Sequence, residues 1–302
     1  MAADTTRVAV VTGASSGIGK QVAKALVGAG WRVIGTGRDP ARIAQAEAEI
    51  GEGAGDGGRI EMLRADLSLL AEAEKAADAI ASLTDRVHVL VNNAGGMPNA
   101  MVMTSEGREA SFAGNHLGPF VLTLGLLPLL RKAALSAPPG AVRIINTASD
   151  ASEMIPAMNF DDMQNLANWD PGIAYCTGKL ANVMFARALA KRLAGDGIVA
   201  HAVHPGAVDS NFFSYAPADT QERTKSLEKL TEEEGADTLI WLATSEEGGR
   251  SSNYWHKRQP RTPHPLVEDD AAVARFWDES ERLISDPAAA AASPSSGRST
   301  PT

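Results

Sequence analysis

The chain has 302 residues, of which 44% are hydrophobic and 22% are charged, enough for one large domain with a buried core. Its formal net charge of -9 would repel nucleic-acid phosphates and anionic lipid surfaces, so neither is predicted as a partner. A single cysteine, Cys176, excludes an intrachain disulfide framework and any multi-cysteine zinc site. The histidines show no metal-binding spacing, and we predict no metal site.

Neither end of the chain, nor its most apolar stretch, indicates a membrane protein. The opening residues carry no charged segment followed by an apolar core, so no signal peptide is predicted. The longest uncharged apolar run, residues 117–130, contains two prolines and is shorter than the roughly 18 residues of a membrane span. We expect it to form a buried helix, and we expect a cytoplasmic protein.

Strand-like apolar runs alternate with helical patterns along most of the chain. The runs cover residues 7–11, 31–36, 60–64, 87–92, 142–147 and 198–204. This spacing predicts an α/β fold, a doubly wound parallel sheet with helices on both faces. We predict a single domain over residues 1–285, with substrate loops at 150–172 and 211–230, followed by a disordered Ala/Pro/Ser-rich tail at 286–302.

A glycine-rich loop follows the first run and opens the first helix. Gly13 would permit a tight turn, Gly17 would let backbone N–H groups approach a pyrophosphate, and Gly19 would let helix and strand pack closely. The loop therefore predicts a dinucleotide site. The residues expected to contact the dinucleotide here are Gly13, Ser15, Ser16, Gly17, Ile18 and Gly19.

The end of the second run indicates which dinucleotide binds. A carboxylate there would hydrogen-bond a ribose 2′-hydroxyl and repel a 2′-phosphate, but none is present. Arg38 instead can offer a planar fork to a phosphate, which favours NADP(H) over NAD. Two alternatives stay open: Arg38 is an ordinary surface arginine, or Asp39 occupies its guanidinium.

Tyr175 and Lys179 are four residues apart, which places both on one face of a helix. A tyrosine hydroxyl has an unperturbed pKa of about 10, so acid–base chemistry near neutral pH needs an adjacent cation to stabilise the phenolate. Lys179 is placed to be that cation. Ser149 ends an earlier strand and Asn115 lies in an earlier helical segment, and both could join this pair.

The glycine-rich loop and these four residues, in this chain order, resemble the short-chain dehydrogenase/reductase family. Proteins of that family have a Rossmann fold and a loop of the form T-G-x-x-x-G-x-G. Asn115, Ser149, Tyr175 and Lys179 match the family's catalytic tetrad. The resemblance implies that Tyr175 is the acid in reduction and the base in oxidation, and that Ser149 polarises the substrate oxygen. It also implies that Lys179 lowers the pKa of Tyr175 and holds the nicotinamide ribose, while Asn115 anchors a water that relays protons to Lys179.

The resemblance implies further cofactor contacts at the ends of three strands. Asp66 would accept from the adenine amino group, although it could also cap the following helix. The N-N-A-G signature ends the fourth run, where a buried turn is the alternative, and a P-G-x-V-x-T-like segment follows the sixth, with Ser210 where the family has threonine. These contacts are Asp66, Leu67, Asn93, Ala94, Gly95, Tyr175, Lys179, Pro205, Gly206, Val208 and Ser210.

The chain resembles the retinol dehydrogenase-like and WW-domain oxidoreductase-like group in four segments, residues 115–118, 143–149, 179–183 and 204–206. The membrane anchor of the group's vertebrate retinoid members is missing, and Ala148 replaces a serine. The implied activity is hydride transfer between NADP(H) and a carbonyl or alcohol carbon. Apolar residues in the predicted loops indicate a bulky hydrophobic ketone, aldehyde or secondary alcohol. The predicted substrate contacts are Met97, Met154, Trp169, Phe212 and Phe213.

Three alternatives remain at this point. A non-catalytic NADP-sensing or scaffold protein could keep the fold and the glycine loop, and an NAD-dependent enzyme of the same family could keep the tetrad. A sugar-nucleotide epimerase also uses tyrosine and lysine, but resembles a longer chain with a T-G-x-x-G-x-x-G loop. A homodimer and a monomer are both compatible with the sequence.

Overall fold

The computed structural model describes residues 6–97, 99–209, 218, 221–222 and 228–285. Its strands are β1 (Val8–Val11), β2 (Arg32–Gly37), β3 (Arg59–Arg64), β4 (Val89–Asn92), β5 (Val142–Thr147), β6 (Ile198–Val203), β7 (Tyr254–His256) and β8 (Gln259–Pro260). They form one sheet in the order β3-β2-β1-β4-β5-β6-β7-β8. Neighbouring strands are parallel except β8, which is antiparallel to β7.

Helices cover both faces of this sheet. They are α1 (Gly17–Gly28), α2 (Pro40–Gly51), α3 (Leu70–Leu83), α4 (Ala110–Phe112), α5 (Gly118–Ala134), α6 (Pro171–Arg192), α7 (Glu232–Thr244) and α8 (Asp270–Ser285), with a π-helical turn (Ala113–Leu117) between α4 and α5. One apolar core packs α3, α5, α6 and α8 against the sheet, and a second packs α1, α2 and α7. The predicted doubly wound α/β fold is confirmed.

The central strands are buried on both faces because helices cover both sides of the sheet. Every residue of β1, β4 and β5 is buried. The sequence did not predict β7 and β8, which have three and two residues. Lys257 and Arg258 turn the chain between them with φ of 49° and 59°, in the left-handed region where glycine and asparagine are the usual signal.

The strand order places the crevice of the sheet beside β1. This strand pairs with β2 on one side and with β4 on the other, so the chain winds in opposite directions from it. In open parallel sheets of this kind, ligands bind at the carboxyl ends of the strands where the order reverses. The loops after β1 and β4 are therefore the ones from which a site should be built.

The apolar run 117–130 forms the end of the π-helical turn and most of α5. The helical stretch Ala110–Ala134 is long and apolar enough to cross a membrane by length and composition, and 56% of its most apolar 18-residue window is buried inside the fold. Its side chains Phe120, Leu122 and Leu126 belong to the core shared with α3 and α6. A core helix of a soluble protein meets the same length and composition test.

A buried histidine fastens the C-terminal helix to the π-helical turn. The Ser280 hydroxyl donates to the Phe276 carbonyl, so the His116 Nε2–H donates to Ser280 across 2.9 Å. Four rings surround the imidazole, with centroids between 4.9 and 5.7 Å away: Phe112, Phe120, Phe185 and Phe276. Burial lowers the pKa of His116 to about 3, so the folded state holds the ring neutral.

This burial makes stability depend on pH with a definite sign. The unfolded chain takes up a proton on His116 below its ordinary pKa of 6.5, which the folded chain cannot do until about pH 3. The stabilisation is fully present above pH 6.5 and falls by about 1.4 kcal/mol per pH unit as the pH decreases between those values. In His116→Leu, denaturant titrations should give a pH slope smaller by about that amount, whereas Ser280→Ala should keep the wild-type slope. An unchanged slope in His116→Leu would contradict the prediction.

Candidate active site

The glycine loop leaves the amino end of α1 open to the crevice. Gly13 and Gly17 adopt φ of 68° and 59°, in the left-handed region. Ser16 is the N-cap residue of α1, but its side chain makes no capping hydrogen bond, and the first turn holds no acidic residue. Among the described residues, the first backbone N–H groups of α1 therefore meet no side-chain acceptor, an arrangement that suits a phosphate.

The loop packs directly on the residues that follow β4. The Thr12 hydroxyl accepts from the backbone N–H groups of Asn93 and Ala94, both at 2.9 Å. A Cβ on Gly19 would lie 2.5 Å from both Asn93 Nδ2 and the Gly13 carbonyl oxygen, and one on Gly13 would lie 3.1 Å from the Ala94 Cα. The close packing predicted for Gly19 is thus present, with a partner the sequence did not indicate.

The end of β2 lies against the same loop. A Cβ on Gly37 would meet the Ser15 hydroxyl at 2.9 Å, so Ser15 stands beside the strand end. Arg38 is exposed, and no described residue pairs with its guanidinium. The alternative that Asp39 occupies this guanidinium is wrong, because Asp39 caps α2 by accepting from the Arg42 N–H at 2.9 Å.

Asp66 does not cap the helix that follows it. Its carboxylate accepts from the N–H and the hydroxyl of Ser68, at 3.0 and 2.7 Å, while α3 begins later, at Leu70. The first N–H groups of α3 instead donate to the Glu106 carboxylate from the loop after β4. The capping interpretation is therefore wrong, and Asp66 with the buried Leu67 follows β3 at the crevice side of the sheet.

Tyr175 and Ser149 approach one another where β5 and α6 meet. The Ser149 hydroxyl, in the loop after β5, lies close enough to the Tyr175 hydroxyl, in the second turn of α6, to affect its pKa. Burial raises the pKa of Tyr175, the nearby Ser149 hydroxyl lowers it, and the negative charge of Asp150 raises it further. The free protein thus holds the Tyr175 hydroxyl protonated at neutral pH.

Lys179 lies one turn after Tyr175 and is buried. Its ammonium nitrogen is 5.6 Å from the centroid of the Tyr175 ring and donates to the Thr147 carbonyl oxygen at 3.3 Å. Burial lowers the pKa of Lys179 to about 8. The side chain is therefore a buried cation at neutral pH, held by one carbonyl among the described residues.

Asn115 reaches the same place from the π-helical turn. Its Nδ2 donates to the carbonyl oxygens of Gly96 and Ser111, both at 2.8 Å, while its buried Oδ1 accepts from no described residue. A Cβ on Gly95 would lie 2.4 Å from this Oδ1 and 3.5 Å from the Lys179 ammonium. Gly95 thus stands between Asn115 and Lys179, and any side chain there would separate them.

The segment after β6 closes the other side of the crevice. Pro205 and Gly206 are half-buried, and Val208 is buried. A Cβ on Gly235 of α7 would lie 2.4 Å from Val208 and 3.4 Å from Ile18, so Val208 and Ile18 meet across the start of α7. The predicted contact Ser210 lies outside the described residues.

The predicted substrate contacts have unlike positions. Met97, in the loop after β4, is buried, whereas Met154 is 74% exposed. Trp169 is half-buried, and its indole lies near the buried Glu109 carboxylate. Several other apolar residues of the 150–172 loop, among them Met158 and Met163, pack into the core. Phe212 and Phe213 lie outside the described residues, as does most of the predicted loop 211–230.

Comparison with known proteins identifies this arrangement. The family model described as short chain dehydrogenase matches residues 7–221, which include the glycine loop and all four tetrad positions. The chain belongs to the short-chain dehydrogenase family. Within it, the chain is similar to retinol dehydrogenase 12 of Homo sapiens, at 34% identity over 92% of this chain and 86% of that protein. It is also similar to human retinol dehydrogenase 13, at 32% identity over 91% and 83%.

Solved structures agree with this membership. An uncharacterized protein from Mycobacterium paratuberculosis superposes with a TM-score of 0.71 and 28% identity over 92% of this chain and 93% of that one. The NADP active-site complex of Pseudomonas aeruginosa RhlG superposes with a TM-score of 0.65 and 30% identity over 82% of this chain and 93% of that one. This short-chain dehydrogenase is therefore close to the retinol dehydrogenase-like group in sequence and shares its fold with bacterial proteins.

Sequence reasoning missed several residues that hold the site of this short-chain dehydrogenase together. Thr12 clamps the end of β4, and the Asn182 side chain shares the Thr147 carbonyl with Lys179, at 2.9 Å. Asp150 and His204 lie beside Ser149. A threonine before the loop glycine and an asparagine one turn after Lys179 were visible signals, whereas the proximity of His204 depends on the pairing of β5 and β6.

Gly19→Ala tests the packing of the loop on β4. The added methyl group meets Asn93 and the Gly13 backbone, so we expect the free energy of unfolding to fall by about 1–3 kcal/mol. Gly195→Ala is the matched control, because its Cβ would meet nothing within 4 Å, and its effect should stay within about 0.5 kcal/mol. Equal effects of the two substitutions in urea titrations would show that the loop has room for a side chain.

Proposed function

We propose that the protein is a cytoplasmic NADP(H)-dependent oxidoreductase that interconverts hydrophobic ketones or aldehydes and the corresponding alcohols. The observation that carries the proposal is the proximity of the Ser149 and Tyr175 hydroxyls, with the buried Lys179 ammonium one helical turn away. Family membership and the retinol dehydrogenase relatives support alcohol and carbonyl chemistry. Burial of the apolar stretch Ala110–Ala134 within the core supports a protein that needs no membrane.

The crevice fits a dinucleotide with a 2′-phosphate. The amino end of α1, where Ser16 makes no side-chain cap, suits the pyrophosphate. Exposed Arg38, with Ser15 beside the end of β2, suits the 2′-phosphate, because a guanidinium binds phosphate in a bidentate manner. The remaining parts of the dinucleotide would be flanked by Asp66, by Asn93 to Gly95 and by the segment after β6. When bound, the cofactor supplies a hydride in reduction and accepts one in oxidation.

The protein's own residues handle the proton and the charge on oxygen. In reduction, Tyr175 gives its hydroxyl proton to the carbonyl oxygen as the carbon gains the hydride, and Ser149 donates a hydrogen bond to the same oxygen. Lys179 stabilises the phenolate that remains, and its pKa of about 8 keeps it charged at neutral pH. The open acceptor of Asn115 Oδ1 can hold a water through which Tyr175 and Lys179 regain protons.

The substrate is proposed to be bulky and apolar. Five exposed large hydrophobic residues belong to the loops after β4 and β5 and to the start of α6, at the carboxyl end of the sheet. They are Met101, Val102, Met103, Met154 and Ile173. Such residues at the mouth of a crevice suit an apolar molecule. The relatives' names add retinoids to the substrates worth testing.

Tyr175→Phe should reduce kcat by about 10²–10⁴-fold, since it removes the proton donor without removing the ring. Oxidation of NADPH is followed by absorbance against hydrophobic ketones, aldehydes and retinaldehyde, and the affinity for NADPH should change little. Tyr254→Phe deletes a hydroxyl that donates to Glu153 and should leave most of the turnover. Wild-type turnover in Tyr175→Phe would refute the acid–base assignment, and tight NADPH binding without any turnover would favour a sensor.

Arg38→Asp should shift cofactor preference toward NAD. Losing a charged hydrogen bond worth about 1.5–3 kcal/mol should lower the ratio of kcat/KM for NADPH over NADH by roughly 10–100-fold. Arg59→Asp makes the same change of charge at the start of β3, the opposite end of the strands, and should leave the ratio unchanged. If both variants keep the wild-type ratio, the 2′-phosphate is not bound by Arg38.

A further inference from the structure

A carboxylate lies directly beside the proposed catalytic serine. The Ser149 hydroxyl donates to Asp150 Oδ1 at 3.0 Å and accepts from the Ala151 N–H at 3.2 Å. Asp150 begins a short helical turn (Asp150–Glu153) after β5, and its side chain is 51% exposed. Its other oxygen lies 3.7 Å from His204 Nε2. The carboxylate is thus next to the reacting groups and open to a ligand.

The neighbours of Asp150 do not neutralise its charge. Burial lowers the pKa of His204 to about 4, so this imidazole is neutral at neutral pH and accepts from the Asp150 N–H at 3.2 Å. The nearby guanidinium of Arg261 is bound by both oxygens of Glu153, at 2.6 and 2.8 Å. Within the described ranges no arginine or lysine forms an ion pair with Asp150. An anion so placed also raises the pKa of Tyr175.

Asp150 competes with the substrate for the one hydrogen bond that the Ser149 hydroxyl can donate. A serine hydroxyl has one hydrogen, and Ser149 directs it to the Asp150 carboxylate. Hydrogen bonds to a carboxylate are about twice as strong as those between neutral groups, so a plain carbonyl oxygen has to displace a stronger acceptor. A substrate that brings its own donor to Asp150 would satisfy the carboxylate and release the Ser149 hydrogen.

From this juxtaposition of Ser149 and Asp150 we propose that Asp150 is a specificity-determining residue that selects carbonyl compounds with a hydroxyl group on the adjacent carbon. The Asp150 carboxylate accepts from this hydroxyl while Ser149 donates to the carbonyl oxygen. In such a compound the two oxygens lie within hydrogen-bond distance of each other, as Ser149 Oγ and Asp150 Oδ1 do. The inference rests on the proposed function and narrows its substrates to apolar α-hydroxy ketones and the corresponding vicinal diols.

The test compares acetophenone with α-hydroxyacetophenone, which differ by one hydroxyl group. With NADPH, the wild type should prefer the hydroxy ketone in kcat/KM by roughly 10–100-fold, the effect of one charged hydrogen bond. Asp150→Ala should abolish the preference by raising activity on acetophenone and lowering it on the hydroxy ketone. Asp150→Asn, which keeps a neutral acceptor, should fall between. Asp161→Ala is the matched control and should keep the wild-type preference, because the Asp161 carboxylate accepts from Arg275 and not from Ser149.

Binding is measured alongside turnover so that the two proposals fail separately. Calorimetric titration of each ketone into the NADP-saturated protein should give Kd values that differ by roughly 10-fold or more in the wild type and by much less in Asp150→Ala. Loss of the difference in Asp150→Ala supports the inference even without turnover, and absence of turnover then counts against the proposed function. Equal Kd values in the wild type, or a ratio that Asp150→Ala keeps, would overturn the inference.

Discussion

The site depends on the Thr12 hydroxyl, which lies beside β1 where the strand order reverses. Thr12 accepts two backbone N–H groups from the residues that follow β4, and this fixes the end of β4 against the glycine loop. Asn93 extends the connection, because its side chain donates to the Thr12 carbonyl oxygen and accepts from the Thr147 hydroxyl. The Thr147 carbonyl in turn holds Lys179. One polar network therefore links the glycine loop to Lys179, and satisfied networks favour a single arrangement.

The opposite wall of the site is held by aromatic packing together with the hydrogen bond between His116 and Ser280. Asn115 and His116 are adjacent in the π-helical turn, and they serve different sides of it: Asn115 faces Gly95 and Lys179, and His116 lies among aromatic rings under α8. A π-helical turn inserts one residue into a helix, and such turns are frequent at functional sites. The docking of α8 therefore supports the segment that places the open acceptor of Asn115 in the crevice.

Features carried by local sequence were predictable, and features created by tertiary contacts were not. The first six strands lie within two residues of their predicted limits. For β1 and β4 the reason is burial on both faces, which requires a continuous apolar run. The glycine loop and the Tyr175–Lys179 spacing are also local patterns. In contrast, β7 is three residues long and is recognised only by its pairing with β6, and the cap of α3 comes from Glu106, far along the chain. Asp66 carried the expected capping signal, yet a distant carboxylate took that role.

The charges of Lys179 and Asp150 bear on the protonation state of Tyr175, on which the proposed reaction depends. Lys179 lies near the Tyr175 ring as a buried cation, and Asp150 acts on the tyrosine as an anion, so that burial together with Asp150 keeps the hydroxyl protonated. A protonated Tyr175 is the form that the proposed carbonyl reduction consumes. Oxidation requires the phenolate, and a hydroxyl group of the substrate that satisfies Asp150 would reduce the opposing field. The same contact would release the Ser149 hydrogen. One hydroxyl group of the substrate would therefore offset both effects of Asp150, which are the raised pKa of Tyr175 and the occupied hydrogen of Ser149.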